Sequence, residues 1–287
     1  MANHAIEVED LTYWYGDLLA VDHISFHVDE GEILGFLGPN GAGKTTTWKM
    51  LTGQFKPKGG KATVLGRDIA RDSLKVKGEI GVCFEYTNLY EQMTAGENLT
   101  LFARLFGISG FKPGPLLERV GLSGLEKKKV GEFSKGMKQR LMMARSLVNK
   151  PRILFLDEPT SGLDPVSAES IRSIVLEEKQ RGATVFLTTH DMWEADKLCH
   201  RVAFINQGKI VALDTPHDLK QDYGKRALKA EVGEGESLEY VEIPMDTDKT
   251  PDEVHNLFSR KKVVTVHSEE ATLEDIFIKI TGRGLEE

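Results

Sequence analysis

Nine consecutive residues have the spacing of a loop that could bind phosphate groups. The pattern is G-x-x-x-x-G-K-[ST], and the loop consists of Gly38, Pro39, Asn40, Gly41, Ala42, Gly43, Lys44, Thr45 and Thr46. Glycines let the backbone curl so that successive N–H groups face one anion. In this pattern the lysine reaches the β- and γ-phosphates of a nucleotide, and the hydroxyl after it holds Mg²⁺. The spacing therefore predicts a nucleotide site that uses Lys44 and Thr45.

An acidic pair further along the chain could complete such a site. Asp157 and Glu158 follow the apolar run 153–156 directly. An aspartate at the carboxyl end of a buried parallel strand suits a Mg²⁺ ligand, and the next glutamate is placed to polarise an attacking water as a general base. A helix-capping turn has the same local sequence, so the pair alone does not decide its role.

Apolar strands must position these residues. The run 33–37 precedes the glycine loop, and residues 46–51 lack Gly and Pro, as a short helix would. The apolar runs 153–156 and 184–189 predict two further buried strands, and His190 directly follows the second. Ligands bind at the carboxyl ends of parallel strands. The pattern therefore predicts an α/β fold with a parallel core, while alternation near residues 6–8 and 24–28 predicts an antiparallel N-terminal part.

Two more segments complete a recognisable order of motifs. Residues 133–140 read Phe-Ser-Lys-Gly-Met-Lys-Gln-Arg and are predicted to begin a helix, and residues 161–164 read Ser-Gly-Leu-Asp. Over about residues 5 to 220, this order resembles the nucleotide-binding subunits of ATP-binding cassette (ABC) transporters. The resemblance implies a P-loop NTPase (RecA-like) parallel-sheet core, an N-terminal antiparallel β portion and a helical lobe that carries the signature motif.

The resemblance also implies roles for individual residues. Residues 38–46 match the Walker A loop that binds ATP, and Asp157 and Glu158 match the Walker B aspartate and the catalytic glutamate. His190 resembles the switch histidine that contacts the γ-phosphate. Tyr15 is similar to the aromatic that stacks on adenine, although Tyr13 and Trp14 compete for that role. Implied Mg²⁺ ligands are Thr45, Glu85 and Asp157.

Contacts across a dimer are implied as well. Ser134, Lys135 and Gly136 belong to the signature segment, which in relatives binds the γ-phosphate held by the other subunit, and Asp164 belongs to the D-loop at the dimer seam. Two positions depart from the family. Glu85 stands where a Gln is usual, and we expect it to keep the metal contact and to alter coupling. Lys135 replaces a Gly, and it is either a solvent-facing lysine or an added cation near the γ-phosphate.

Three regions follow from these motifs. We expect an ATP-binding domain over residues 1–222, with the helical lobe at about 89–149, and a small α+β domain over residues 223–287. In the latter, the acidic, glycine-rich stretch 231–236 predicts a linker or turn. The segments 251–258 and 272–280 predict helices, and 263–266 predicts a strand. The motif at 272–283 resembles the C-terminal extension of ATPases paired with drug, lipid or polysaccharide exporters.

Composition narrows the class of partners. The chain is 40% hydrophobic and 28% charged, and its net charge of −7 argues against binding nucleic acid. No apolar run is long enough to span a bilayer, and the polar N-terminus is unlike a signal peptide. We expect Cys83 and Cys199 to be reduced thiols. The histidines lack metal-site spacing, so Mg²⁺ brought by ATP is the expected metal.

The combined prediction is an ATP-hydrolysing subunit of an ABC exporter. It would pair with a second ATPase subunit, in a homodimer or a heterodimer, and would dock a transmembrane permease near residues 85–99. We expect it in the cytoplasm, on the inner face of the cell membrane, held there by the permease. Two alternatives stay open, a soluble ABC ATPase of translation or DNA repair and a phosphate-loop kinase. The cargo does not follow from the sequence.

Overall fold

The computed structural model describes residues 4–224, 226–234, 237–245, 247–282 and 284. The strands, in chain order, are β1 (His4–Tyr15), β2 (Leu18–Asp29), β3 (Ile33–Leu37), β4 (Gly59–Val64), β5 (Arg67–Asp68), β6 (Ile80–Cys83), β7 (Ile153–Asp157), β8 (Thr184–Thr189), β9 (Arg201–Asn206), β10 (Lys209–Asp214), β11 (Arg226–Glu234), β12 (Ser237–Pro244) and β13 (Val263–Glu270).

The helices connect these strands. In chain order they are α1 (Lys44–Leu51), α2 (Ile69–Lys77), α3 (Ala95–Leu105), α4 (Pro113–Arg119), α5 (Lys135–Ser146), α6 (Pro165–Gln180), α7 (Met192–Leu198), α8 (Pro216–Tyr223), α9 (Thr250–Arg260) and α10 (Leu273–Thr281), with a 3₁₀ turn at Val130–Glu132. Among the described residues, no helix has both the length and the apolar character needed to cross a membrane.

A six-stranded sheet forms the centre of the fold. Its order is β10-β9-β3-β8-β7-β6, and β3, β6, β7, β8 and β9 pair in parallel. Every residue of β3, β7 and β8 is buried, as expected for strands that are covered on both faces. Because β8 lies between β3 and β7, the ends of the three strands meet at one edge. The predicted α/β parallel core is confirmed.

The N-terminal strands form the predicted antiparallel portion. Their sheet has the order β2-β1-β4-β5, and Glu7 pairs with His27 in the β1–β2 ladder. Phe26 of β2 contacts Phe36 of β3, with ring centroids 5.5 Å apart, and Phe186 of β8 lies 6.1 Å from Phe26. These buried rings join the two sheets through one apolar core, which fixes the β1–β2 turn next to the end of β3.

Helices α3, α4 and α5 form the helical lobe, and polar contacts define its ends. A capping box between Thr94 and Glu97 begins α3. Arg119, at the end of α4, donates to Glu177 Oε2 at 2.9 Å and to Glu178 Oε1 at 2.5 Å, both on α6. Glu178 is only 1% exposed. These ion pairs therefore hold the end of α4 against α6.

The described chain divides into two compact units, the first ending at Leu213 and the second beginning at Asp214. The predicted division after residue 222 differs from this one by the length of α8. In the second unit, α9 packs on the sheet β12-β11-β13, and the core contains Ala230, Val232, Ile243 and Leu257. The predicted segments 251–258, 263–266 and 272–280 are found as α9, β13 and α10.

The prediction of a linker or turn over 231–236 is wrong for residues 231–234, which are strand. Strand β11 continues through Glu234, because Glu231 pairs with Tyr240 on β12 and with Thr265 on β13. The stretch is acidic, but the side chain of Val232 lies in the core of the unit. Residues 235 and 236 lie outside the described residues, as does Arg283 of the predicted C-terminal motif. Gly282 ends α10 at φ 74°.

Candidate nucleotide-binding site

A cavity of about 340 Å³ lies where β3, β7 and β8 end. It brings together segments that are up to about 175 residues apart in the chain. Its lining consists of Tyr15, Leu18, Ala20, Pro39, Asn40, Gly41, Gly43, Lys44, Thr45, Thr46, Glu85, Glu158, Ser161 and His190. Most of the residues predicted to bind ATP in this subunit are in this set. Leu18 and Ala20 were not predicted, because only the β1–β2 pairing brings them to the loop.

Backbone geometry explains the glycines of the loop. Gly43 stands just before α1 with φ 110°, a conformation that other residues rarely adopt. A methyl group on Gly43 would also lie 2.6 Å from the carbonyl oxygen of Ala20. A methyl group on Gly38 would collide with the carbonyl oxygen of Ile205. The loop therefore needs glycine at both positions to begin α1 with its N–H groups free to face an anion.

Lys44 is the first residue of α1, and its ammonium group points back into the loop. Its side chain is 6% exposed, and Nζ donates to the carbonyl oxygens of Gly38 at 2.5 Å and Pro39 at 3.2 Å. Nζ also lies 3.5 Å from Oε1 of Glu158. Burial lowers the pKa of Lys44, and the neighbouring Glu158 carboxylate opposes that shift. A charged phosphate in the loop would replace these neutral carbonyl partners.

Glu158 connects the lysine to the histidine. Its backbone lies in the left-handed region at φ 47°. Oε2 lies 2.9 Å from Nδ1 of His190, and the carboxyl group is 8% exposed. Oε1 faces Lys44 and has no hydrogen-bond partner among the described residues. One buried carboxylate thus spans the glycine loop and the end of β8, with one oxygen left for a further ligand.

Asp157 lies deeper than Glu158. It is 4% exposed and accepts a hydrogen bond from Thr188 Oγ1. Burial raises the pKa of Asp157, the Thr188 hydrogen bond lowers it, and the nearby Glu85 charge raises it. Glu85 and Thr45 both line the cavity above. Two carboxylates and a hydroxyl are oxygen donors of the kind that Mg²⁺ prefers.

These donors fit a Mg²⁺ ion that arrives with a nucleotide. Within the described part of the chain, no three carboxylate, histidine or cysteine ligands converge at this cavity; the group that does converge is His4, His27 and Asp29 on the antiparallel sheet. Mg²⁺ is usually held by one or two carboxylates together with phosphate oxygens. The unpartnered Oε1 of Glu158 and the hydroxyl of Thr45 leave room for that arrangement.

The His4 group is a feature that sequence spacing did not reveal. His4 and Asp29 are register partners across β1 and β2, and their side chains are 2.6 Å apart. The imidazole of His27 lies beside that of His4, and its Nε2 already accepts a hydrogen bond from Arg201 at 3.2 Å. Because a guanidinium cation lies against this cluster, we interpret it as a surface hydrogen-bond network.

The structure separates the three aromatic residues near position 15. Tyr15 lines the cavity, and its hydroxyl lies 3.4 Å from Thr46 Oγ1. Tyr13 stacks on Phe55 at a centroid distance of 5.3 Å. Trp14 is 38% exposed and lies under the ammonium group of Lys58. Only Tyr15 of these three faces the phosphate loop, so it keeps the predicted position for a stacked base.

Ser161, the first residue of the D-loop segment, lines this cavity, whereas Ser134, Lys135, Gly136 and Asp164 do not. Ser134 caps α5 by accepting from Met137 N at 3.3 Å, and both it and Lys135 are exposed. Gly136 is buried, and a methyl group there would lie 2.6 Å from Ser167 Oγ and 3.5 Å from Asp164 Oδ2. Asp164 caps α6, and hydrogen bonds from Ser167 hold the pKa of Asp164 below its usual range. These two motifs adjoin each other within one chain.

A second, more apolar cavity of about 580 Å³ lies beside the helical lobe. Leu89 and Tyr90 line it together with Phe84, Phe102 and Phe106. Tyr86 and Leu105 are also exposed, at 78% and 71%. The cavity falls within the predicted docking region, although Leu99 at the end of that region is fully buried. Exposed apolar surface of this kind is typical of protein contacts.

Comparisons with known proteins agree on one family. The family described as ABC transporter matches residues 21–161. A fluoroquinolones export ATP-binding protein of Mycobacterium tuberculosis is 46% identical over 288 residues, covering 99% of this chain and 96% of that protein. Nod factor export ATP-binding protein I of Burkholderia pseudomallei is 38% identical, with 97% of each chain covered.

A solved structure has the same fold. It is the dimeric structure of a post-hydrolysis state of an ATP-binding cassette bound to ADP and Pi, with a TM-score of 0.66 and 26% identity, covering 73% of this chain and 98% of that one. The two export ATP-binding proteins align along nearly the whole chain. The chain therefore belongs to the ABC transporter family, as an ATP-binding subunit that hydrolyses ATP.

Proposed function

We propose that the chain powers an exporter by hydrolysing Mg²⁺-bound ATP in the 340 Å³ cavity. The observation that carries this proposal is the Glu158 carboxylate, which reaches both Lys44 and His190. A buried carboxylate between a phosphate-binding lysine and a histidine can accept a proton from water while both side chains stay in place.

The predicted site residues in and beside the cavity have distinct roles in this proposal. Lys44 leaves the carbonyl groups of its own loop and binds the β- and γ-phosphates. Glu158 orients the attacking water and accepts its proton. His190 holds Glu158 and contacts the γ-phosphate. Thr45, Glu85 and Asp157 hold Mg²⁺, which neutralises phosphate charge. Tyr15 stacks on the base.

Dimerisation is part of the proposal because the signature residues lie outside the cavity. The exposed Ser134 hydroxyl at the start of α5 offers a donor to a phosphate held by another subunit. Lys135 and Gly136 would contribute to the same contact, and Asp164 would lie at the seam. The dimeric cassette to which this chain is similar supports a paired arrangement. We propose a homodimer, since one chain carries both halves of the site.

Export is favoured by the names of the similar proteins, which concern fluoroquinolones and Nod factor. Those two cargoes differ chemically, so no cargo is assigned to this chain. We propose that a separate membrane permease docks on residues 85–99, with the apolar cavity around Leu89 and Tyr90 as its contact. The chain would then work in the cytoplasm, on the inner face of the membrane.

The test is the Glu158→Gln variant with ATP. The isosteric amide keeps the hydrogen bond to His190 but cannot accept a proton. We expect hydrolysis to fall by roughly 10² to 10⁴-fold while ATP binding is retained, and we expect an ATP-dependent dimer in size-exclusion chromatography with light scattering. Glu118→Gln, on the exposed face of α4, is the matched control.

A monomer at saturating ATP would contradict the dimer and would favour a kinase-like use of the loop. The permease is tested separately by purifying the tagged wild-type chain from detergent-solubilised membranes. Recovery with a stoichiometric multi-spanning protein supports the exporter. Recovery only with ribosomes or nucleic acid would favour the soluble ABC ATPase instead.

A further inference from the structure

Side-chain contacts connect the two segments that carry Glu158 and His190. At the end of β7, Asp157 accepts from Thr188 of β8 at 2.5 Å. One residue further, Glu158 Oε2 meets His190 Nδ1 at 2.9 Å. The backbone N–H of Glu158 also donates to the carbonyl oxygen of Thr188 at 3.0 Å. The two segments therefore run side by side, linked at each step.

A third contact extends this series beyond the cavity. The hydroxyl of Thr160 donates to Glu194 Oε2 at 2.8 Å. Thr160 lies two residues after Glu158, and Glu194 lies four residues after His190 on α7. Glu194 therefore links the start of the D-loop to the helix that follows the histidine. Neither residue lines the cavity.

Among the described residues, Glu194 is the least exposed of the buried carboxylates. It is 0% exposed, and Oε1 has no hydrogen-bond partner among the described residues. The nearest cation is Arg172 of α6, with NH1 at 3.9 Å from Oε1. Arg172 makes its own hydrogen bonds to Glu169. By contrast, the almost equally buried Glu178 is held by two arginines.

The charges around Glu194 come from three places in the fold. Arg172 faces it from α6, Glu158 from the end of β7, and Asp191 from the N-cap of its own helix, while the neutral thiol of Cys199 lies beyond. Burial is the main cause that raises the pKa of Glu194, to about 7. The Thr160 hydrogen bond and Arg172 oppose the rise, and Asp191 and Glu158 add to it.

From this arrangement we propose that Glu194 is a positioning residue for ATP hydrolysis: its ionised carboxylate holds Thr160 and thereby fixes the turn of Glu158 against the segment of His190. This inference rests on the roles proposed above for Glu158 and His190. An ionised carboxylate accepts the Thr160 hydrogen more strongly than a neutral acid does. Hydrolysis therefore becomes faster as Glu194 loses its proton, without any contact between Glu194 and ATP.

The experiment compares the full-length wild type with Glu194→Gln between pH 6 and pH 8. The turnover number and the Kd for ATP are measured at each pH in both chains. We expect the ratio of turnover numbers, wild type over variant, to rise by up to about tenfold, because the ionised fraction of Glu194 grows from about one tenth to about nine tenths. Other titrating groups are common to both chains and cancel in the ratio.

Two further variants separate positioning from a general packing defect. Both are measured with and without Glu194→Gln, and the ratio compares the two chains of each pair. Thr160→Val removes the hydroxyl, so we expect this ratio to be independent of pH. Thr160→Ser keeps the hydroxyl, so we expect the ratio to rise with pH as in the wild type. Glu178→Gln is the buried control, and its ratio to wild type should not change with pH.

A ratio of wild type to Glu194→Gln that stays constant across this pH range would overturn the inference. So would a Thr160→Val chain that keeps the full pH dependence. Glu158→Gln, measured alongside, separates the two proposals: hydrolysis that survives this change overturns the catalytic roles themselves, whereas loss of hydrolysis with a constant Glu194 ratio overturns only the part played by Glu194.

Discussion

Three charged residues in and beside the cavity are buried. Lys44, Asp157 and Glu158 are all less than 10% exposed, and each has few ways to satisfy its charge. The sequence identified these three by motif, because each lies in a short local pattern, the glycine loop or the acidic pair that follows an apolar run. It did not reveal that Glu158 bridges Lys44 and His190, or that Glu194 is buried nearby. Such pairings depend on which strands lie side by side, and Tyr15 could be separated from Tyr13 and Trp14 only in the folded chain.

The buried carboxyl of Glu194 predicts a stability that depends on pH. Its pKa of about 7 lies above the ordinary value of 4.5, so the folded state holds a proton that the unfolded state has already lost. This group's contribution is fully present below about pH 4.5 and is lost as the pH rises through 7. Between about pH 4.5 and pH 7, we expect the free energy of unfolding of the wild type to fall by up to about 3 kcal/mol relative to that of Glu194→Gln.

All three tryptophans, Trp14, Trp48 and Trp193, lie in the first unit, so urea unfolding followed by tryptophan fluorescence reports on it. Glu118→Gln should follow the wild type at every pH. If the difference between wild type and Glu194→Gln does not change between pH 5 and pH 8, the carboxyl group is not buried as described.

At the scale of elements, the parallel core was the most predictable part of the fold. β3, β7 and β8 are short apolar runs that end at polar motif residues, and such runs have few alternative structures. The linker or turn expected at 231–236 is wrong for 231–234, because composition does not show which strands pair with a segment. β11 contains two glutamates and a glycine near its end, yet it is the middle strand of its sheet, and its two neighbours determine its conformation.

Helix α3 provides a test of how the proposed docking segment is held. Asn98 is fully buried, accepts from Tyr90 N at 2.9 Å, and donates to the carbonyl oxygens of Tyr90 and Thr94 at 3.0 Å each. Asn98→Ala leaves these groups without their partner. We expect a loss of about 1–3 kcal/mol in the free energy of unfolding, and faster hydrogen exchange over residues 88–95.

Thr100→Ala on the same helix is the comparison variant, and hydrogen-exchange mass spectrometry is the measurement. Unchanged exchange over 88–95 in Asn98→Ala would show that the segment is ordered by other contacts.

On the scale of the whole molecule, two units each have their own core. The catalytic cavity lies entirely in the first, whereas Leu257 is 4% exposed in the core of the second. We expect Leu257→Ala to destabilise the second unit by about 2–5 kcal/mol, as cavity-forming substitutions do. The tryptophan-detected unfolding of the first unit and its basal ATPase rate should stay the same.

The neighbouring Phe258 is 58% exposed, so Phe258→Ala is the control and should change neither unit. Hydrogen exchange over residues 250–282 follows the second unit directly. A tryptophan transition that shifts together with that exchange would mean that the two units unfold as one.

At Glu158, the residue type that the left-handed backbone favours differs from the one that hydrolysis needs. Such a backbone is unfavourable by about 1–2 kcal/mol for residues with a side chain, whereas glycine adopts it freely. Replacing Glu158 by glycine would therefore relax the turn while removing the group that accepts the proton from water. A screen for thermostability alone would therefore not detect the loss of hydrolysis at this position.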